Sequence, residues 1–221
     1  MLHSSPLTGI FIGIIQRVNF FNDMVAEEKQ VTKLAYVSPE EYLVRERAAF
    51  EKSEYYQGEI IPMAGATRNH NCIKENIIGE SFTTLRERGC QSFSSDMRVY
   101  LPETTLFAYP DIVIVCGEPQ VANGEFDNLL NPAVIIEVLS DGTEDYDRGR
   151  KFQRYRQIPS LREYILIGSR SIDVEVWRKN EDGRWVLAES HTEPAASVRI
   201  NTIDLSISLE KVYAQTVGLT V

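Results

Sequence analysis

Two continuous apolar runs, each carrying a carboxylate, constrain the fold of this chain more than any other feature. Asp111 opens Asp-Ile-Val-Ile-Val-Cys, and Glu137 stands inside Ala-Val-Ile-Ile-Glu-Val-Leu. Runs without polar alternation belong to strands covered on both faces, so they predict a central sheet with a layer on each side. An unpaired carboxylate in such a strand is unfavourable enough that it neutralises, pairs or binds a metal. One such residue could be satisfied by a core arginine or by backbone donors; two in consecutive strands suggest a shared purpose. Asp111 begins its strand, and Glu137 lies near the end of the next. In antiparallel neighbours the start of one strand lies beside the end of the other, which brings both carboxylates to one sheet edge. Hard oxygens converging there suit Mg²⁺ or Mn²⁺, with water or phosphate filling the remaining positions.

A basic helix follows the second run. Past the turn-like Ser140-Asp141-Gly142-Thr143, residues 144–157 read as a polar helix on which Asp147, Lys151 and Tyr155 share one side. A lysine aimed at the paired carboxylates would orient water or stabilise charge developing on a phosphate. A solvated Asp–Lys pair accounts for that spacing equally well. Arg148, Arg150, Lys151, Arg154 and Arg156 make this helix the conspicuous basic patch of the sequence, with Arg148, Arg150 and Arg154 as candidate DNA contacts.

The remaining elements support one α/β domain over residues 24–221. Ser38-Pro39-Glu40-Glu41 is a helix start. Residues 55–63 read as a hairpin turning near Gln57-Gly58. Residues 71–88 read as a helix ended by Gly89, with Asn71 as a candidate N-cap. Strands are expected at 91–101, 111–116, 133–139 and 163–167. Two more, at 172–178 and 185–190, join around Asp182-Gly183, with Trp177 and Trp185 packing across them. Asp96 and Arg98, two apart on a strand, suggest a structural ion pair. Residues 1–23 read as an appended extension, or as an added strand or an arm that docks on a partner. Its apolar stretch, 7–21, is shorter than the ~20 residues a bilayer span needs and lacks signal-peptide flanks.

Composition narrows the function classes. With 23 Lys and Arg against 32 Asp and Glu, the formal charge is −9, which excludes a histone-like polymer binder. A metal-dependent nuclease is not excluded, because bound cations supply charge that composition does not count. Three cysteines without a CxxC pair argue against a disulfide framework and for a reducing cytoplasm. Three histidines argue against a zinc-rich site. Ser140 has no histidine in a recognisable context, and no glycine-rich phosphate loop is present.

The ordered set Tyr109-Pro110-Asp111-Ile-Val-Ile-Val, Glu137-Val-Leu-Ser and Tyr146-Asp147-Arg148-Gly149-x-Lys151-x-x-x-Tyr155 resembles the Uma-type restriction endonucleases of the PD-(D/E)XK nuclease superfamily. Gly58-Glu59-Ile60, Met63-Ala64-Gly65-Ala66, His70-Asn71 and Ser95-Asp96-Met97-Arg98-Val99 extend the resemblance over roughly residues 37–178. It implies a restriction-endonuclease-like fold: a mixed central sheet flanked by helices, with extra antiparallel strands. In order, these are a helix, a three-stranded antiparallel portion, a second helix and a further strand. It implies that Asp111 and Glu137 hold the metal and that Glu59 is a further acidic candidate. His70 and Tyr155 are additional candidates, His70 near a helix start and Tyr155 with core packing as its default. The lysine expected two residues after Glu137 is replaced by Leu139, and the resemblance moves that role to Lys151. The function implied is a Mg²⁺- or Mn²⁺-dependent endonuclease that hydrolyses DNA with a metal-activated water, as a homodimer for cutting both strands. Two alternatives remain open: a catalytically silent nuclease fold that binds nucleic acid or protein, and a metal-dependent hydrolase of another phosphoester.

Overall fold

The computed structural model describes residues 36–124 and 127–220; the extension expected at residues 1–23 lies outside them. In chain order, α1 (Pro39–Ala48) leads into the hairpin β1 (Ser53–Tyr56) and β2 (Glu59–Pro62), then α2 (Arg68–Glu87). Strands β3 (Cys90–Ser94), β4 (Arg98–Leu101), β5 (Leu106–Ala108), β6 (Ile112–Cys116), β7 (Asn128–Leu129) and β8 (Val134–Leu139) follow. A helical segment then runs without a break through α3 (Glu144–Tyr146), a π-helical turn (Asp147–Lys151) and α4 (Phe152–Tyr155). After it come β9 (Glu163–Gly168), β10 (Val174–Lys179), β11 (Trp185–His191), β12 (Ser197–Ile200), β13 (Leu205–Ser208) and α5 (Leu209–Val212).

The two carboxylate-bearing runs lie side by side in a six-stranded sheet ordered β11-β10-β9-β8-β6-β3. β6 and β8 are antiparallel, with Ile112 opposite Ile136, while β8 and β9 are parallel and joined by the helical segment. Alternation along these strands assigns their side chains to two cores. Ile112, Ile114, Val134, Ile136 and Val138 pack under α2, the β12–β13 hairpin and α5. Val113, Val115, Ile135 and Leu139 turn the other way, against Phe152 and Tyr155 and against Val99, Leu101, Leu106 and Ala108 of a second sheet. That sheet, ordered β2-β1-β5-β4-β7, is covered on its far face by α1, where Tyr42, Tyr55 and Phe107 cluster. Both faces of the central sheet are therefore covered, as continuous apolar runs require. Glu137 falls on the side that faces the second sheet.

Several expectations need correction. Residues 91–101 are two strands in different sheets, parted by a turn in which the Asp96 and Met97 N–H groups donate to the Ser94 carbonyl at 2.6 and 3.1 Å. Asp96 and Arg98 do not pair with each other, because that turn separates them. Asp96 pairs with Lys52, whereas Arg98 is buried against Asp127 and donates to Asn128 Oδ1 at 3.0 Å. Helix α2 starts earlier than expected, and Thr67, not Asn71, is its N-cap. Trp177 and Trp185 lie on neighbouring strands and both rest on Phe152, with ring centroids 5.2 and 5.5 Å away. The β1–β2 turn is where it was expected: Gln57 and Gly58 both have positive φ, 47° and 98°, as a two-residue I′ turn requires. A Cβ at Gly58 would also run into the Tyr36 ring.

The cysteines are a further correction. Cys90 and Cys116 stand opposite each other across β3 and β6 and form a disulfide, leaving Cys72 as the free thiol. An odd count argues against a framework of bridges but does not prevent one bridge where strand register brings two thiols together. The bridge closes a loop with a sequence separation of 26, a length for which cross-linking contributes about 3 kcal/mol. Reduction, or Cys116→Ser, is expected to lower unfolding stability by that amount in urea melts. Identical midpoints with and without reductant would show that the bridge contributes nothing.

Candidate active site

Extending the β6–β8 register by one residue sets Asp111 opposite Glu137, and the two carboxylates interlock there. The Asp111 N–H donates to Glu137 Oε2 at 3.2 Å, and the Val138 N–H donates to Asp111 Oδ2 at 2.9 Å. Each acid is thus oriented by backbone of the other's strand. Tyr109 and Pro110 connect β5 of the second sheet to β6 of the central one, so Asp111 emerges where the two sheets meet. His70, in the first turn of α2, hydrogen-bonds Asp111 Oδ2 through Nε2 at 3.0 Å. The side chains of Asp111 and His70 are 16% and 10% exposed, against 3% for Glu137, so the cluster opens to solvent on the Asp111 side.

From the other direction the helical segment supplies Lys151. Its Nζ lies 2.9 Å from Glu137 Oε1, 3.0 Å from Glu54 Oε1 and 3.5 Å from Asp147 Oδ1. The π-helical turn spans Asp147 to Lys151, an irregularity that recurs at functional sites and here aims both residues inward. Tyr155 lies one turn further on, both in the core and in the cluster: its hydroxyl donates to Glu137 Oε1 at 3.2 Å. Glu54, on β1, also accepts from the Tyr109 N–H at 3.2 Å and the Tyr146 hydroxyl at 3.2 Å. Leu139 stays in the apolar core beside Ile135, and Lys151 brings an ammonium to Glu137 instead.

The electrostatics follow from the burial. Burial pushes the Glu137 carboxyl well above the usual carboxylate range, against the pull of Lys151. The Asp147 carboxyl rises for the same first reason. Burial alone would depress the Lys151 ammonium, but the charges of Glu137 and Glu54 outweigh it and hold its pKa well above the usual lysine value. The site is thus a net-acidic cluster built around one fixed cation.

Among the described residues no group of three or more His, Cys, Asp or Glu side chains forms a ready-made metal cage. The donor set nevertheless fits a hard divalent cation. Mg²⁺ is normally held by one or two carboxylates plus water and substrate phosphate, and Asp111 with Glu137 supplies that pair. His70 Nδ1, the ring nitrogen that does not face Asp111, is buried with no hydrogen-bond partner among the described residues.

Other candidates are placed differently. Glu59 is exposed on β2, and among the described residues the ion pairs of Lys151 are with Glu54, Glu137 and Asp147; the hairpin's acid in the cluster is Glu54, which sequence reasoning missed. Arg148 is committed to Glu144, Asp173 and Glu175 at 2.9, 2.6 and 2.5 Å, so it is not a free cation for DNA. Arg154 is buried over the Tyr56 ring at 3.5 Å. Arg150 is exposed.

A family model described as "Uma2: Putative restriction endonuclease" matches residues 39–210. Two uncharacterized proteins of Synechocystis are similar. One, sll1609, is 41% identical over 155 residues, covering 70% of this chain and 88% of the relative. The other, slr1290, is 32% identical over 177 residues, covering 80% and 91%. Among solved structures, a chain from Anabaena variabilis described as "a putative nuclease belonging to DUF820" superposes with a TM-score of 0.66 at 21% identity. That alignment covers 80% of this chain and 98% of the other. At that identity the likeness is one of fold.

Proposed function

This chain belongs to the Uma2 family of restriction-endonuclease relatives, and we propose that it hydrolyses DNA phosphodiester bonds with the help of Mg²⁺ or Mn²⁺. The observation that carries this reading is the convergence of Asp111, Glu137 and Lys151 at one sheet edge, with Lys151 Nζ 2.9 Å from Glu137. Asp111 and Glu137 would hold the cation, whose chemistry there is to neutralise phosphate charge and to acidify water. His70 fixes the Asp111 carboxylate, and Tyr155 with the Asp111 N–H fixes that of Glu137, so neither acid needs to reorganise as charge develops. Lys151 contributes a positive charge that is held in place before substrate arrives, the arrangement that favours an anionic transition state. Cutting both strands of a duplex calls for two such sites, which a homodimer supplies. Among the described residues no helix is long and apolar enough to cross a membrane.

The test is incubation of the purified protein with supercoiled plasmid and with short linear duplexes, in Mg²⁺, in Mn²⁺ and in chelator, beside a nuclease of known activity. Nicked or linear product is expected with either metal and none with chelator. Product that persists in chelator would overturn the metal-dependent mechanism. No product at any salt level, while the control nuclease cuts, would favour the silent nuclease fold. Product from a small phosphoester but not from DNA would favour a different hydrolase.

A further inference from the structure

Next to the carboxylate cluster lies a polar cleft of about 430 Å³, within the range of small-ligand sites, roughly 300–1,000 Å³. Nothing in the mechanism above uses it. It lies between the β1–β2 hairpin and the outer side of the helical segment. Its floor is Arg154, which is nine-tenths buried and stacks its guanidinium 3.5 Å over the Tyr56 ring. That arginine is wired to the site: its Nη1 donates to the Tyr146 hydroxyl at 2.8 Å, which donates to Glu54 at 3.2 Å, the acid that holds Lys151 at 3.0 Å. The rim carries the exposed Arg150 and the amides of Gln57, Gln153 and Gln157, with Glu59 beside them.

This lining selects its ligand chemistry. A flat stacked pair of Tyr56 and Arg154 offers a π-face of the kind on which bases stack. Three side-chain amides both donate and accept, which matches the mixed edges of a nucleobase better than an apolar ligand or a simple anion. Arg150 can take a phosphate, while Glu59 disfavours one and can accept from an exocyclic base amine. We infer that this cleft is a nucleotide subsite. It takes one unpaired nucleotide of the strand whose phosphodiester lies at Asp111 and Glu137, with its phosphate on Arg150 and its base among the glutamine amides. Glu59, which is exposed and is not one of the clustered acids, would then act on base preference. The inference rests on the nuclease reading for its choice of strand but makes a separate prediction about binding.

The experiment is fluorescence anisotropy of a short labelled single strand and of a blunt duplex of the same sequence, in Ca²⁺, over a series of NaCl concentrations. The wild type is compared with the double variant Arg150→Ala/Gln153→Ala, whose two sites are exposed. Lys211→Ala, which removes a positive charge from α5, serves as control. The double variant is expected to bind the single strand about tenfold more weakly, with the salt slope reduced by about 0.7. The control should be unchanged, and the blunt duplex should bind less tightly than the single strand. Unchanged affinity in the double variant, an equal loss in Lys211→Ala, or no binding by the wild type would each overturn the subsite. Plasmid cleavage in Mg²⁺ by the same proteins separates the two readings. Cleavage with binding that does not depend on the cleft residues removes the subsite alone. Binding that depends on the cleft residues, without cleavage, removes the nuclease reading alone.

Discussion

Asp111→Asn and Glu137→Gln are each expected to give a folded protein that cleaves plasmid about a thousandfold more slowly than the wild type. Each substitution keeps the shape of the side chain and removes the charge of one of the two carboxylates available to a divalent cation. Metal-assisted charge stabilisation is worth several kcal/mol, and about 1.4 kcal/mol is a factor of ten in rate, so losing some 4 kcal/mol gives about that figure. The fold should tolerate both changes. Burial already favours the uncharged form of the Glu137 carboxyl, and a glutamine supplies an uncharged group of the same size. The amide introduced by Asp111→Asn retains an oxygen to accept from the Val138 N–H, which now donates to Asp111 at 2.9 Å. The readouts are single-turnover cleavage and far-UV circular dichroism on the same samples. A rate within about tenfold of wild type for either variant would locate the chemistry elsewhere.

How much of this site could be read from the sequence depends on where each residue sits. Asp111 and Glu137 stood out because one opens an apolar run and the other interrupts one, and the observed antiparallel register places them together as the order of start and end implied. The shared side of Asp147, Lys151 and Tyr155 followed from spacing, since helical periodicity is local, but spacing suited a solvated Asp–Lys pair equally well and the resemblance turned Lys151 toward the acids. Glu54 carried no such signal. It lies in the four-residue strand Ser-Glu-Tyr-Tyr, which looks like any amphipathic hairpin until the second sheet folds over the first. The nearby Glu59 was more visible because it follows a turn glycine, yet β2 carries it to the surface. The basic patch misled for a similar reason. Arg148 is neutralised by Glu144 in its own helical segment and by Asp173 and Glu175 far along the chain, and composition cannot show such pairing. The fold class was readable because two-sided burial leaves a continuous apolar signature. The division into two sheets was not, because it turns on Ser95-Asp96-Met97, a turn inside what reads as one long strand.

Lys151→Met carries the largest expected cost in stability, about 3–5 kcal/mol, out of the roughly 5–15 kcal/mol that holds a typical domain together. Its ammonium is the shared partner of Glu54, Glu137 and Asp147, whose side chains are 4%, 3% and 5% exposed. Methionine fills much of the volume and leaves the three acids without it. Because the cluster is buried, added salt should restore little of the loss. The pH dependence has a definite sign. Burial holds the carboxyls of Glu137 and Asp147 above their ordinary values, and Lys151 lowers both, so removing it pushes them higher still. A carboxyl whose folded pKa exceeds its unfolded one stabilises the fold while protonated and loses that contribution as pH rises through the folded value. The deficit of the variant, measured by urea unfolding in chelator, should therefore be smallest near about pH 5 and grow toward about pH 8. Adding Glu54→Gln to Lys151→Met removes one unpaired charge and should recover at least about 1 kcal/mol, a coupling typical of residues in one buried network. Cleavage should stay lost in the double variant, because recovering the fold does not restore the fixed cation beside Glu137. A deficit under about 1 kcal/mol at the higher pH, or an equal deficit at both pH values, would mean that the three acids find other partners without Lys151.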